Sequence, residues 1–122
     1  MPKKILLVDD ANTVLMMERM MLRGAGYDVV TARNGEEAVQ MAIAERPDLI
    51  LLDVIMPRMD GFEACRQIRA NESTKAIPII MVTTRSEATS VQTGLDAGAN
   101  ECLTKPFNSV ELLGKLRTFL RE

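Results

Sequence analysis

Three runs of four consecutive apolar residues, each stopped by a polar one, constrain this chain most: Ile5-Leu6-Leu7-Val8 before Asp9, Leu49-Ile50-Leu51-Leu52 before Asp53, and Ile79-Ile80-Met81-Val82 before Thr83. Short runs without apolar-polar alternation read as strands buried on both faces, which is what helices packed on both sides of a parallel sheet require. Cys102-Leu103-Thr104 before Lys105 is a shorter run of related form, and the more mixed stretch from Tyr27 to Ala32 predicts a further strand at a sheet edge.

The segments between these strands carry helical periodicity and recognisable starts. Asn34-Gly35-Glu36-Glu37, Asp60-Gly61-Phe62-Glu63 and Asn108-Ser109-Val110-Glu111 each match a capping box, in which the first side chain accepts from an early helical amide and the Glu reaches back. Apolar sets at helical spacing follow: Val39 and Ile43; Phe62 and Ile68; Leu112, Leu113, Leu116, Phe119 and Leu120. In the first helix the spacing predicts an inward stripe of Val14, Met17, Met21 and Ala25, leaving Leu15, Met16 and Met20 outside. A fourth helix is predicted from about Ser86 to Ala97. Gly24, Gly26, Gly94, Gly98, Pro47 and Pro78 punctuate helix exits and strand starts. The result is an α/β chain of (βα)5 form, a doubly wound five-stranded parallel sheet, spanning residues 1–122 as one domain.

Composition narrows the function classes. With 47% hydrophobic and 26% charged residues the chain can bury a core, so disorder is a poor reading. A net charge of −2, with no basic run, argues against a nucleic-acid groove. The absence of histidine excludes a Ser-His-Asp triad, a His-ligated zinc and a phosphohistidine on this chain. Cys65 and Cys102 lack CxxC spacing and read as reduced packing thiols. No apolar run reaches the length of a membrane span or a signal-peptide core, and the expected location is the cytoplasm.

Parallel strands joined by right-handed crossovers all run the same way, so the residues after each strand gather along one edge of the sheet. That brings Asp9, Asp10, Asp53, Thr83 and Lys105 together. In a flavodoxin-like sheet of order 2-1-3-4-5 the ligand crevice opens between strands 1 and 3, which the three aspartates flank. Two carboxylates about 4 Å apart cost on the order of several kcal/mol, so the pocket calls for cations. Lys105 supplies one charge, and a hard, oxygen-seeking Mg2+ is the expected other. Such a cleft suits a phosphoryl group, with Asp53 as the attacking carboxylate. The competing reading, that each acid caps a helix, remains open for Asp10 and Asp60. It fits Asp53 poorly, because no helix start occurs until Asp60.

These residues resemble the receiver domain of two-component response regulators, as the chemotaxis response regulator has it. The similarity runs from Lys3 to about Arg121 and rests on Val8-Asp9-Asp10, the stretch from Leu52 through Asp53 and Met56-Pro57 to Asp60-Gly61, Val82-Thr83, and Lys105-Pro106-Phe107. The resemblance implies that Asp53 accepts a phosphoryl group from a phosphohistidine of a histidine kinase or histidine phosphotransfer protein. It implies that Asp9, Asp10 and Asp53 hold Mg2+ with the backbone carbonyl of Ile55. It further implies that Lys105 pairs with Asp53 or its phosphoryl, that Thr83 turns its hydroxyl onto a phosphoryl oxygen, and that the Lys105–Pro106 bond is cis. The chain would then be a signalling switch that assists its own phosphorylation and dephosphorylation, not a turnover enzyme.

Two departures from the family pattern carry expectations. Cys102 stands where the family usually has Tyr or Phe, which raises the alternative of a phosphorylation-decoupled receiver-fold interaction module. Thr84, in place of a smaller residue, and Ile55 predict slower loss of the phosphoryl group. The outer set, Leu15, Met16 and Met20, is expected to dock the phosphodonor. The small, polar fourth helix offers few anchors for an output partner. A dehalogenase-like phosphatase would need an acid where Ile55 stands. An FMN carrier would need a hydroxyl-rich first loop and stacking aromatics, where this chain has Asp9-Asp10, no Trp and one Tyr.

Overall fold

Each apolar run is a strand, and its consecutive side chains go to opposite faces of one sheet. The computed structural model of the chain describes residues 2–54, 56, 58–83 and 88–121. In chain order the elements are β1 (Lys4–Val8), α1 (Asn12–Gly24), β2 (Asp28–Ala32), α2 (Gly35–Glu45), β3 (Leu49–Asp53), α3 (Gly61–Ala70), β4 (Ile79–Thr83), α4 (Ala88–Ala97), β5 (Glu101–Thr104) and α5 (Ser109–Leu120). Every strand pair is parallel and the order is β2-β1-β3-β4-β5, the predicted flavodoxin-like arrangement with the mixed strand β2 at an edge.

The two faces bury separate cores. Ile5, Leu7, Leu49, Leu51, Ile80 and Val82 pack with Leu15 and Leu22 of α1 and with Leu112, Leu116 and Leu120 of α5. Their strand neighbours Leu6, Val8, Ile50, Leu52, Ile79 and Met81 pack on the other side with Ala38 and Ala42 of α2, Ala64, Cys65 and Ile68 of α3, and Ala97 of α4. Burial of successive residues in different layers is why the runs show no alternation.

Asn34, Asp60 and Asn108 cap α2, α3 and α5, each side chain accepting from the amide of the Glu three residues on, at 2.8, 2.9 and 2.8 Å. The Glu63 carboxylate does not spend itself on the cap. It accepts from Arg66 and Gln67 one turn further along.

Two helix faces differ from their sequence-based expectation. On α1 the buried residues are Leu15, Glu18 and Leu22, while Met17, expected inside, is 70% exposed. Glu18 interrupts the apolar character of the true stripe, so the spacing of Val14, Met17 and Met21 masquerades as the better one. The expected exposure of Met16 and Met20 holds, at 63% and 68%, and that of Leu15 does not. On α2 the buried side chains are Ala38 and Ala42, which pack with the sheet and α3, and Ile43 is exposed. Ser86, the expected start of the fourth helix, lies outside the described residues. Among the described residues no helix is long and apolar enough to cross a membrane.

Candidate functional site

Backbone bonds set the ends of the strands against one another. The Asp9 N–H donates to Ala32 O at 3.2 Å, Val54 N–H to Val82 O at 3.0 Å, and Lys105 N–H to Thr83 O at 2.7 Å. With Val8 opposite Leu52, Asp53 opposite Val82 and Thr83 opposite Thr104, the predicted residues meet at one edge of the sheet. Gly61 then brings α3 against the end of β3: its N–H donates to Val54 O at 2.9 Å, and a Cβ there would overlap the Asp53 carbonyl oxygen.

Asp9 is nearly buried. Its Oδ1 accepts from the Ala11 N–H at 2.9 Å, and its Oδ2 accepts from the Lys105 ammonium at 3.0 Å. The same ammonium lies 4.0 Å from Asp53 Oδ2. Ligand oxygens of Asp9, Asp10 and Asp53 all fall within 4.8 Å of one another. Asp10, for which helix capping was an open reading, is not the cap of α1: that position is Ala11, with no side-chain capping bond. Asp60 is a cap. Thr83 is buried at the end of β4, next to Val82 and hence beside Asp53. Ile55 and Thr84 lie outside the described residues.

Electrostatics follow from this crowding. Burial raises the Asp53 carboxyl to about 6; Lys105 and the Val54 N–H act against the shift, and Asp9 and Asp10 add to it. Burial disfavours the charge on Lys105, yet the Asp9 hydrogen bond together with Asp53 and Asp9 outweighs it and holds the ammonium above its ordinary value. One lysine thus serves two carboxylates. Three convergent carboxylate oxygens form a hard donor set of the kind that takes Mg2+ with retained waters, so the residues present fit a divalent cation.

A fourth acid joins the site, and the sequence reading missed it. Glu18 is 9% exposed, and burial first, then the charge of Asp9, raises its carboxyl to about 7, with Lys105 opposing. The available signal was an acid three residues after Leu15 and four before Leu22, on an otherwise apolar helix face. The cysteines behave as expected of packing thiols. Cys65 is buried and Cys102 half-buried against Val91 O, and burial pushes both thiols up, away from reactivity.

Known proteins give the same arrangement a family. The model of the response regulator receiver domain family matches residues 5–117. The chain is 42% identical over 121 residues to the alkaline phosphatase synthesis transcriptional regulatory protein PhoP of Bacillus subtilis, covering 99% of this chain and 50% of that protein. It is 44% identical over 121 residues to the response regulator MprA of Mycobacterium bovis, covering 99% of this chain and 52% of that one. It therefore spans about half the length of these curated relatives. Among solved structures, a putative response regulator from Chloroflexus aurantiacus superposes with a TM-score of 0.94 at 39% identity, with all of both chains covered. The receiver domain of a sensor histidine kinase from Pseudomonas aeruginosa, solved with a magnesium ion coordinated in its active site cleft, superposes with a TM-score of 0.93 at 36% identity over all of both chains. With the family model matching nearly all of the chain and the acidic strand ends in place, this chain belongs to the receiver domains of two-component response regulators.

Proposed function

We propose that Asp53 is the phosphoacceptor of a signalling switch, and that Asp9, Asp10 and Asp53, with the backbone carbonyl of Ile55, hold Mg2+ beside it. The observation that carries the reading is the meeting of the three carboxylates with one lysine, 3.0 Å from Asp9 and 4.0 Å from Asp53. An Asp53 oxygen attacks the phosphorus of a phosphohistidine on a histidine kinase or histidine phosphotransfer protein. The O–P bond forms as the P–N bond breaks, and the imidazole nitrogen leaves with the electron pair. The donor histidine must come from the partner, since this chain has none. Bound Mg2+ would supply charge neutralisation and orientation of the phosphoryl oxygens.

Lys105 exchanges its Asp9 oxygen for a phosphoryl oxygen, and the Thr83 hydroxyl turns toward another. These contacts exist in only one of two states, so they shift a conformational equilibrium. The chain acts once per signal, not as a turnover enzyme. Met16 and Met20, exposed on α1 beside Arg19 and Arg23, are the proposed docking surface for the donor.

Intact mass spectrometry with acetyl phosphate and Mg2+ tests this. The native chain is expected to gain one phosphoryl group and Asp53→Asn none; labelling of the Asn variant, or none of the native chain, overturns it. A second reading is favoured by Cys102, which packs by its Sγ near Val91 O where the family usually has an aromatic. The chain would then take the phosphoryl group without changing its binding surface, and unchanged amide spectra outside the cleft on phosphorylation would identify that case.

A further inference from the structure

Between α1 and the start of α5 runs a groove of about 560 Å3, in which Val14, Met17 and Met21 face Phe107. That volume is in the range of small-molecule sites, and so is the lining, mostly apolar with few polar groups. Glu18 lines it, and Lys105 closes it toward the acidic cleft.

Glu18 is the unusual feature. The residue is 9% exposed, yet among the described residues it has no hydrogen bond or ion pair, and it lines the groove, where its oxygens remain open. Lys105 attracts the Glu18 carboxylate, but its hydrogen bond goes to Asp9 at 3.0 Å. A carboxylate set in an apolar wall without a hydrogen bond is costly. A leucine would serve the core better at this position, between Leu15 and Leu22. The cost is offset if something from outside brings a cation into the groove.

We propose that this groove is a binding site for a small amphipathic organic cation, whose apolar body lies along Val14, Met17, Met21 and Phe107 and whose ammonium or guanidinium head pairs with Glu18. The ligand class follows from charge complementarity: an apolar trough with an acid that has no hydrogen bond among the described residues selects a cation with a hydrocarbon tail over a neutral or anionic molecule of the same length.

The test holds the tail constant and changes the head. Hexylguanidinium, hexanol and hexanoate are titrated into isotope-labelled protein while the methyl signals of Val14, Met17 and Met21 are followed. Hexylguanidinium is expected to bind at least about tenfold tighter than hexanol, with hexanoate weakest. In Glu18→Gln the cation's advantage should vanish while hexanol binding stays. Equal affinities for the three heads, a preference for hexanoate, a cation preference that survives Glu18→Gln, or no binding at these methyls each overturns the proposal. Should Glu18→Gln fail to fold, the ranking of the three heads on the native chain still decides it. Binding of an arginine-bearing helical peptide at the same methyls, with no response to hexylguanidinium, also overturns it and assigns the groove to a protein partner instead.

Discussion

At the scale of single residues, the two raised carboxyls make opposite kinds of statement. Asp53 near 6 bears on the proposed metal site, where a proton and a divalent cation would compete for the same oxygens. Mg2+ affinity is therefore expected to be flat above about pH 7 and to fall by about tenfold per pH unit well below 6, as a Mg2+ titration followed by amide shifts will show. Glu18 near 7 bears on stability. Its folded-state value lies above the ordinary 4.5, so the unfolded chain ionises first as pH rises. Stability is lost between about pH 4.5 and 7 and is constant above. Glu18→Leu removes that loss and is expected to stabilise the protein by on the order of 2–3 kcal/mol at pH 8 and by much less at pH 4. Urea unfolding at the two pH values measures the difference; an equal gain at both would show that packing alone is responsible.

Among the elements, α1 performs three tasks with three faces. Leu15 and Leu22 anchor it to the sheet. Met17 and Met21 border the groove toward α5, and Met16 and Met20 border another toward β2 that also holds Arg19, Arg23 and Arg33. Changing Met16 and Met20 to Lys leaves the core and the strand ends untouched. Phosphoryl transfer from a histidine kinase is expected to slow by about tenfold or more, while labelling by acetyl phosphate stays at the native rate. Equal slowing of both would remove the docking role. The remaining helices were more legible. The caps at Asn34, Asp60 and Asn108 were written in adjacent residues, since a cap is a bond across three positions. The facing of α1 and α2 was not, because the same periodicity fits two neighbouring stripes and only the partner surface chooses between them.

For the molecule as a whole, the two edges of the sheet are specialised. The strand exits collect the charged cleft, and the opposite edge is tied by Arg69. Its guanidinium donates to Gly98 O at 2.8 Å, to Lys75 O at 3.0 Å, to Ile77 O at 2.6 Å and to Asn100 Oδ1 at 2.8 Å. One side chain of α3 thus holds the segment before β4 and the turn between α4 and β5. Arg69→Ala is expected to cost about 2–4 kcal/mol in urea unfolding, with Mg2+ affinity unchanged because the cleft is at the other edge. Loss of metal binding in a folded Arg69→Ala protein would refute this separation. The strand identities, the layered fold and the convergence of Asp9, Asp10, Asp53, Thr83 and Lys105 were determined by sequence alone, because a parallel sheet turns the residue after each apolar run into a neighbour of the others. Arg69 was invisible there, since its acceptors lie up to 31 positions away. So was Glu18: burial of a charged side chain is a property of what packs over it, and only the tertiary structure brings α5 and Lys105 to that place.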